Sequence, residues 1–299
     1  MHRPADVDLE VGFARPAGSG VMKRFMRNRS ALLAVMVIVL IAGFSFLGPL
    51  VYRTSPNAVD PSSILAGPSS LHPLGTDGVG RDVLARLMFG GRISLIVGVL
   101  AAVLGVVTGM IYGAIAGVCG GIVDALLMRL ADIVLSVPVL VLLIVLSAEF
   151  RPSELMMVVV IGLTTWPVPA RLVRGETLSL MQREFVQAAH QMGARRGWTI
   201  FRHILPNTVG TIVVNATFQV ADAILLIAYL SYLGLGIPPP APTWGGILTD
   251  GLTYLYEGTW WLIWAPGLAI LATVVAFNYL GDALRDAFDL RFERAGRIV

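Results

Sequence analysis

Six apolar stretches, each about 20 residues or longer, decide the fold class of this chain before any motif is read. They run roughly over 31–51, 93–118, 126–148, 155–175, 208–234 and 259–281. A helix rises 1.5 Å per residue, so about 20 apolar residues cross the ~30 Å hydrocarbon layer of a bilayer. In lipid every backbone polar group must be bonded within the spanning element, which leaves helices as the economical reading of such runs. The expected fold is all-α: a polytopic membrane protein with six transmembrane helices. Composition agrees, because only 14% of residues are charged, where soluble domains carry about a quarter.

The polar segments divide the chain. Residues 1–21 read as a flexible tail, and 22–51 as a basic lead-in, "MKRFMRNRS", followed by the first helix. A long polar loop occupies 52–92. Residues 93–283 form a five-helix core that carries a polar insert at 176–207 and a Gly/Pro-rich loop at 235–258. Residues 284–299 read as a second tail. The short connections 119–125 and 149–154 imply antiparallel neighbours. The first apolar run is too long for a signal-peptide core.

Lysine and arginine placement orients the bundle. With the N-terminus inside, 17 of the 22 basic residues fall on the inner side: those before residue 30, Arg129, Arg171, Arg174, Arg183, Arg195, Arg196 and Arg202, and the C-terminal Arg285, Arg291, Arg294 and Arg297. Arg53, Arg81, Arg86, Arg92 and Arg151 make up the outer 5. Both termini and the 176–207 insert are therefore expected in the cytoplasm.

Several functions are excluded or unsupported. One cysteine, Cys119, permits no intrachain disulfide, and four scattered histidines give no metal-ligand spacing. No nucleophile elbow, H-E-x-x-H or paired-carboxylate pattern occurs, so no catalytic residue is assigned. The only lysine is Lys23, which rules out a G-x-x-x-x-G-K-[ST] phosphate loop within the chain. If transport is driven by ATP, another polypeptide supplies the hydrolysis. A net charge of +3 gives no support for nucleic-acid binding.

Three features carry more information. Gly105, Gly109, Gly113 and Gly117 recur every fourth residue and form a small-residue ridge against which another helix can pack closely. Pro138, Pro167 and Pro169 each remove a backbone donor and are expected to kink their helices. On the fifth apolar run Thr211, Asn215, Gln219, Asp222 and Tyr229 fall on one helical face. A carboxylate near mid-bilayer costs about 2.5–3.5 kcal/mol and normally faces protein or water. This stripe reads as a wall of a translocation path, with interhelical hydrogen bonding as the alternative.

The insert itself, "EFVQAAHQMGARRGWTIFRHILPN", suits a short helix in which Ala188, Ala189 and Gly193 share a smooth docking face. Glu184 and the pair Arg195–Arg196 are placed to fix register by charge, and Pro206 to end the segment. It resembles the "EAA" cytoplasmic loop of bacterial ABC-importer permeases, with Ala188, Ala189, Gly193, Leu205 and Pro206 at matching spacing. Gln187 stands where that loop usually has glutamate, which Glu184 could replace, and His203 where it usually has isoleucine.

"HPLGTDGVGRDVLARLMFGGRISLIVG", "LSYLGLGIPPPAPTWGGIL" and "NYLGDALRDAFDLR" resemble, in order, three further segments of the C-type dipeptide/oligopeptide/nickel permeases. Ile227 and Leu290 depart from that pattern, which often has glutamate and proline there. The resemblance covers nearly everything from residue 22 onward. It implies a type I ABC-importer permease in the bacterial inner membrane that takes up short peptides. The implied partners are a B-type permease, two ATPases that bind ATP and Mg, and an external solute-binding protein. It implies no cofactor in this chain. Nickel or glutathione-like solutes are the alternatives within the branch. The rivals from other classes are a secondary transporter or channel, and a structural anchor.

Overall fold

The computed structural model describes residues 22, 25–150 and 152–295. The expected tail at 1–21, Lys23, Arg24, Arg151 and residues 296–299 lie outside the described residues. The described residues are helical apart from their connections and one isolated bridge between Thr76 and Asp82.

Helix α1 (Arg29–Val51) begins at Asn28, whose side chain accepts from the Ser30 amide. Helix α2 (Val83–Cys119) is the central element. It starts ten residues before the expected 93, so the polar loop is 52–82 rather than 52–92. The reason is a cap: Asp82 Oδ1 accepts from the Ala85 amide at 2.8 Å, and a helix begins where its first donors find an acceptor. Arg86 and Arg92 had masked that outer part of the helix in the apolar pattern.

The third and fourth apolar runs are both broken. Helices α3 (Gly121–Ser136) and α4 (Val139–Glu149) meet at 86° around Pro138, with Val137 in the extended conformation that a residue preceding proline favours. Helices α5 (Glu154–Thr165) and α6 (Pro167–Met181) meet at 43° at Trp166. The expected kinks are present, and Pro138 makes a full corner. Four helices are long and apolar enough to cross a membrane, and counting each bent pair as one span gives six.

Helix α7 (Glu184–Gln191) is followed by one turn, α8 (Arg196–Thr199), a π-helical turn at Ile200–Ile204, and α9 (Leu205–Tyr232). Pro206 does not end this segment. It occupies the first turn of α9, and the helix runs unbroken from Arg196 to Tyr232. Proline leaves the Arg202 carbonyl without its usual donor. The turn before it widens, with Leu205 N–H bonding Ile200 O, and Asn207 Nδ2 donates to His203 O at 2.6 Å.

The 235–258 loop contains a buried helix, α10 (Trp244–Thr253), and α11 (Trp260–Ala295) continues through most of the expected C-terminal tail.

The glycine ridge is the seam of the fold. A Cβ at Gly109 would lie 2.5 Å from Trp166 O, one at Gly117 2.6 Å from Thr177 Cβ, and one at Gly105 2.5 Å from Thr165 Oγ1. At Gly113 it would overlap Ala170 O. All four glycines thus bring α2 against the backbone of α5 and α6. Higher in the bundle Val97, Leu143, Met157, Ile161 and Ile227 form the main core. Ile227 is buried there, so the position where the family often carries glutamate is apolar packing in this chain.

Candidate functional site

Helix α7 places its residues on two faces. Val186 and Ala189 are buried against the bundle, whereas Glu184, Gln187 and Ala188 are exposed. The expected common face of Ala188, Ala189 and Gly193 is therefore corrected. Two adjacent residues on a helix lie 100° apart, and here the buried stripe takes Ala189 inward. Gly193 has φ +88° and open space where a Cβ would stand. It serves as the left-handed C-cap, with Met192 N–H bonding Ala188 O and Ala194 N–H bonding Ala189 O, both at 3.0 Å. Gln187 turns back to its own chain, donating from Nε2 to Gln182 O at 3.3 Å.

What the segment presents outward is aromatic. The His203 ring lies 5.5 Å from Phe185 and 4.9 Å from Trp198, tying α7 to the turn before α9. Phe185 and Trp198 are nearly half exposed, Phe201 74% and Met192 83%. Arg195, Arg196 and Arg202 are exposed around them, and no carboxylate pairs with them among the described residues. Large exposed apolar groups rimmed by charge mark an interaction surface. Sequence reasoning missed Phe185, Trp198 and Phe201, although their spacing after Glu184 was there to read.

Arg171 and Arg174, by contrast, are paired. Arg174 holds Asp124 through two bonds of 2.5 Å, and Arg171 Nη2 lies 2.5 Å from Asp132, so α6 is pinned to α3.

The polar stripe of α9 divides into two parts. Thr211 Oγ1 donates to Glu176 of α6. Gln219, buried over Gly105, donates from Nε2 to Thr165 O at 3.2 Å. Both are interhelical contacts. Glu176 Oε2, Asn215 Oδ1 and Gln219 Oε1 remain buried without a donor along the same seam. Asp222 and Tyr229 lie beyond it and are exposed. At their level Ala223, Leu226, Ile227 and Leu230 supply the packed face of α9. Glu176 was missed because it sits in the polar insert, 35 residues from its partner.

At the other end, the 52–82 segment folds into a cap with internal partners. Asp82 Oδ2 lies 2.8 Å from both Tyr52 OH and His72 Nδ1. Asp77, 2% exposed, accepts from the Val79 and Arg81 amides, and its Oδ2 lies 2.7 Å from Arg81 Nε and 3.4 Å from Arg86 Nε. Two tryptophans bolt the cap and α10 to the bundle: Trp261 Nε1 donates to Thr76 O and Trp244 Nε1 to Leu87 O. Among the described residues no cluster of metal-ligating side chains occurs.

Comparison with known proteins agrees with this architecture. Residues 101–294 match the family described as the binding-protein-dependent transport system inner membrane component. Residues 18–68 match the N-terminal TM domain of oligopeptide transport permease C. The oligopeptide transport system permease protein OppC of Escherichia coli K12 is 44% identical over 269 residues, covering 89% of each chain. The dipeptide transport system permease protein DppC of Alkalihalophilus pseudofirmus is 38% identical over 267 residues, covering 89% of this chain and 88% of that one. Among solved structures, the inward-facing MetNI methionine ABC transporter superposes with a TM-score of 0.55 at 19% identity. That match covers 68% of this chain and 96% of that one, a likeness of fold. The helical seam and the broken spans thus belong to a multi-pass transport permease, and the chain is a member of the binding-protein-dependent transport system inner membrane components, in their permease C branch.

Proposed function

We propose that this chain is the C-type permease subunit of an ATP-driven importer of di- and oligopeptides. It pairs with a B-type permease, two ATPases that bind ATP and Mg, and an extracytoplasmic binding protein that delivers the solute. The observation that carries this reading is the aromatic, arginine-rimmed surface of α7 and the following turns. An autonomous carrier has no use for such a surface, and it sits where the resemblance locates the ATPase-coupling loop, Glu184, Gln187, Ala188, Ala189, Gly193, Leu205 and Pro206. The excess of basic residues in that region supports a cytoplasmic position for it, and for both termini, in a bacterial inner membrane.

In this mechanism closure of the ATPases pushes on Phe185, Ala188 and Trp198. The π-helical turn passes the motion into α9, because Arg196–Tyr232 is one helix. The exposed Asp222 and Tyr229 then line the solute path against the partner permease, while Thr211 holds α9 to α6 and Gln219 holds it to α5. The names of the two relatives, both peptide permeases, support peptide as the solute class, and no observation favours nickel.

The test is uptake by the reconstituted importer, with both permeases, both ATPases and the binding protein, in proteoliposomes. Labelled di- and tripeptides should accumulate in an ATP-dependent manner that requires the binding protein, and nickel should not. Uptake without the ATPases would refute the reading.

A further inference from the structure

A groove between α1, α2 and α11 has no role in this mechanism. It encloses about 340 Å³. Ile38, Ile41 and Phe46 of α1, Leu95 and Val99 of α2, and Phe277 of α11 line it, with almost no polar surface. From Ile38 to Phe46 it runs two helical turns, about 12 Å, close to the depth of one bilayer leaflet.

Its mouth, at the Val51 end of α1, carries two guanidinium groups. Arg92 Nη2 donates to Phe46 O at 3.2 Å, and Arg53 Nε donates to Leu50 O at 3.3 Å. Phe46 and Leu50 are one turn apart, so the two cations are anchored about 6 Å apart along α1. Arg92 lies over the rings of Phe46 and Phe89 at 5.6 and 5.2 Å, and its Nε is enclosed without an acceptor.

Among the described residues, Arg81, Arg86, Arg171 and Arg174 each have a carboxylate within 4 Å, whereas the half-buried Arg92 and the exposed Arg53 have none. A partly desolvated guanidinium without an anion is costly, and a phosphodiester is the acceptor its planar donors fit best. The groove lies against α1, the most peripheral span, where hydrocarbon chains are the surrounding solvent. Residues 25–28 join α1 at its opposite end.

We propose that this groove holds an acyl chain of an anionic phospholipid, with the lipid phosphate bridging Arg92 and Arg53. The proposal does not depend on the solute transported or on the orientation of the subunit. An anionic headgroup is specified because a zwitterionic one brings its own ammonium to the same two cations.

The experiment uses the purified, delipidated importer complex titrated with dioleoyl phosphatidylglycerol, dioleoyl phosphatidylcholine, dioleoylglycerol or inorganic phosphate. Bound molecules are counted by native mass spectrometry. Phosphatidylglycerol should bind about tenfold or more tightly than phosphatidylcholine or dioleoylglycerol, in keeping with one charge-assisted hydrogen bond, and inorganic phosphate should not be retained. The pair Arg92→Gln and Arg53→Gln should bring phosphatidylglycerol down to the phosphatidylcholine level. Ala42→Phe, or Thr273→Leu if the first fails to assemble, should expel the lipid with both arginines intact.

Unchanged phosphatidylglycerol affinity in the arginine pair, or in an assembled groove-filling variant, overturns the proposal. So does crosslinking of an Ile96→Cys variant to the partner permease, which would make the groove a protein seat.

Discussion

The two polar ends of this molecule are built on opposite plans. At the 52–82 end, charges meet charges of the same chain: Asp77 takes Arg81 and Arg86, and Asp82 takes Tyr52, His72 and the first turn of α2. At the α7–α8 end, Arg195, Arg196 and Arg202 have no carboxylate among the described residues, and Phe185, Trp198 and Phe201 stand in solvent. One end is complete in the single chain. The other leaves cationic and aromatic surface uncovered by the described residues. The contrast teaches where to look for function, because a contiguous exposed aromatic surface rimmed by charge marks an interaction site.

Substitutions at the complete end should therefore cost stability, and those at the other end should cost coupling. Asp77→Ala should have the largest effect. It strips the nearer carboxylate from Arg86, 4% exposed, and leaves it only Asp250 at 3.9 Å, so the cost should approach about 3 kcal/mol, the low end for a broken buried pair. Thermal unfolding of the assembled complex in detergent measures it. Asp82→Ala follows at about 2 kcal/mol, one helix cap plus hydrogen bonds at the rim of the core.

At the other end the adjacent alanines separate packing from docking. Ala189→Trp overfills a buried site and should cost about 1–3 kcal/mol. Ala188→Trp should leave stability within about 0.5 kcal/mol yet abolish solute-stimulated ATP hydrolysis. If both alanines behave alike, the two-faced α7 is wrong.

The smallest effect concerns pH. Burial raises the Asp250 carboxyl above its ordinary value, while Arg86 and Arg81 oppose the shift. A raised folded-state pKa means the folded cap holds the proton more tightly. Its contribution is fully present below the unfolded pKa and is lost as pH rises through the folded one. Asp250→Asn should flatten the melting temperature over about pH 4 to 7 relative to the parent. An unchanged slope would remove Asp250 from the account.

Much of this architecture was legible in the residues, and the reasons are physical. Apolar runs report membrane spans because lipid admits few alternatives, and the glycine ridge reported its seam because only small residues let backbones meet. Pro138 announced its corner. The outer ten residues of α2 were hidden because Arg86 and Arg92 interrupt the apolar pattern, and their partners Asp77 and Phe46 O lie outside the helix. Trp244 reads as loop in sequence, although its ring is buried beside Gly91. The α9 stripe, read as one face, divides in the structure into Thr211 and Gln219, which bond neighbouring helices, and Asp222 and Tyr229, which are exposed. Which half meets α5 and α6 depends on the bend at Trp166, which no helical wheel contains. The expected docking face of α7 failed for a similar reason, since a buried alanine and an exposed one look identical in sequence.

Backbone hydrogen exchange tests the contrast between the two ends most directly. The permease pair is compared with and without its ATPases, following peptides that cover 184–204 and 60–86. ATPase binding should slow exchange across 184–204, most strongly around Phe185 and Trp198, and leave 60–86 unchanged. Equal protection at both ends, or none at 184–204, would contradict that contrast.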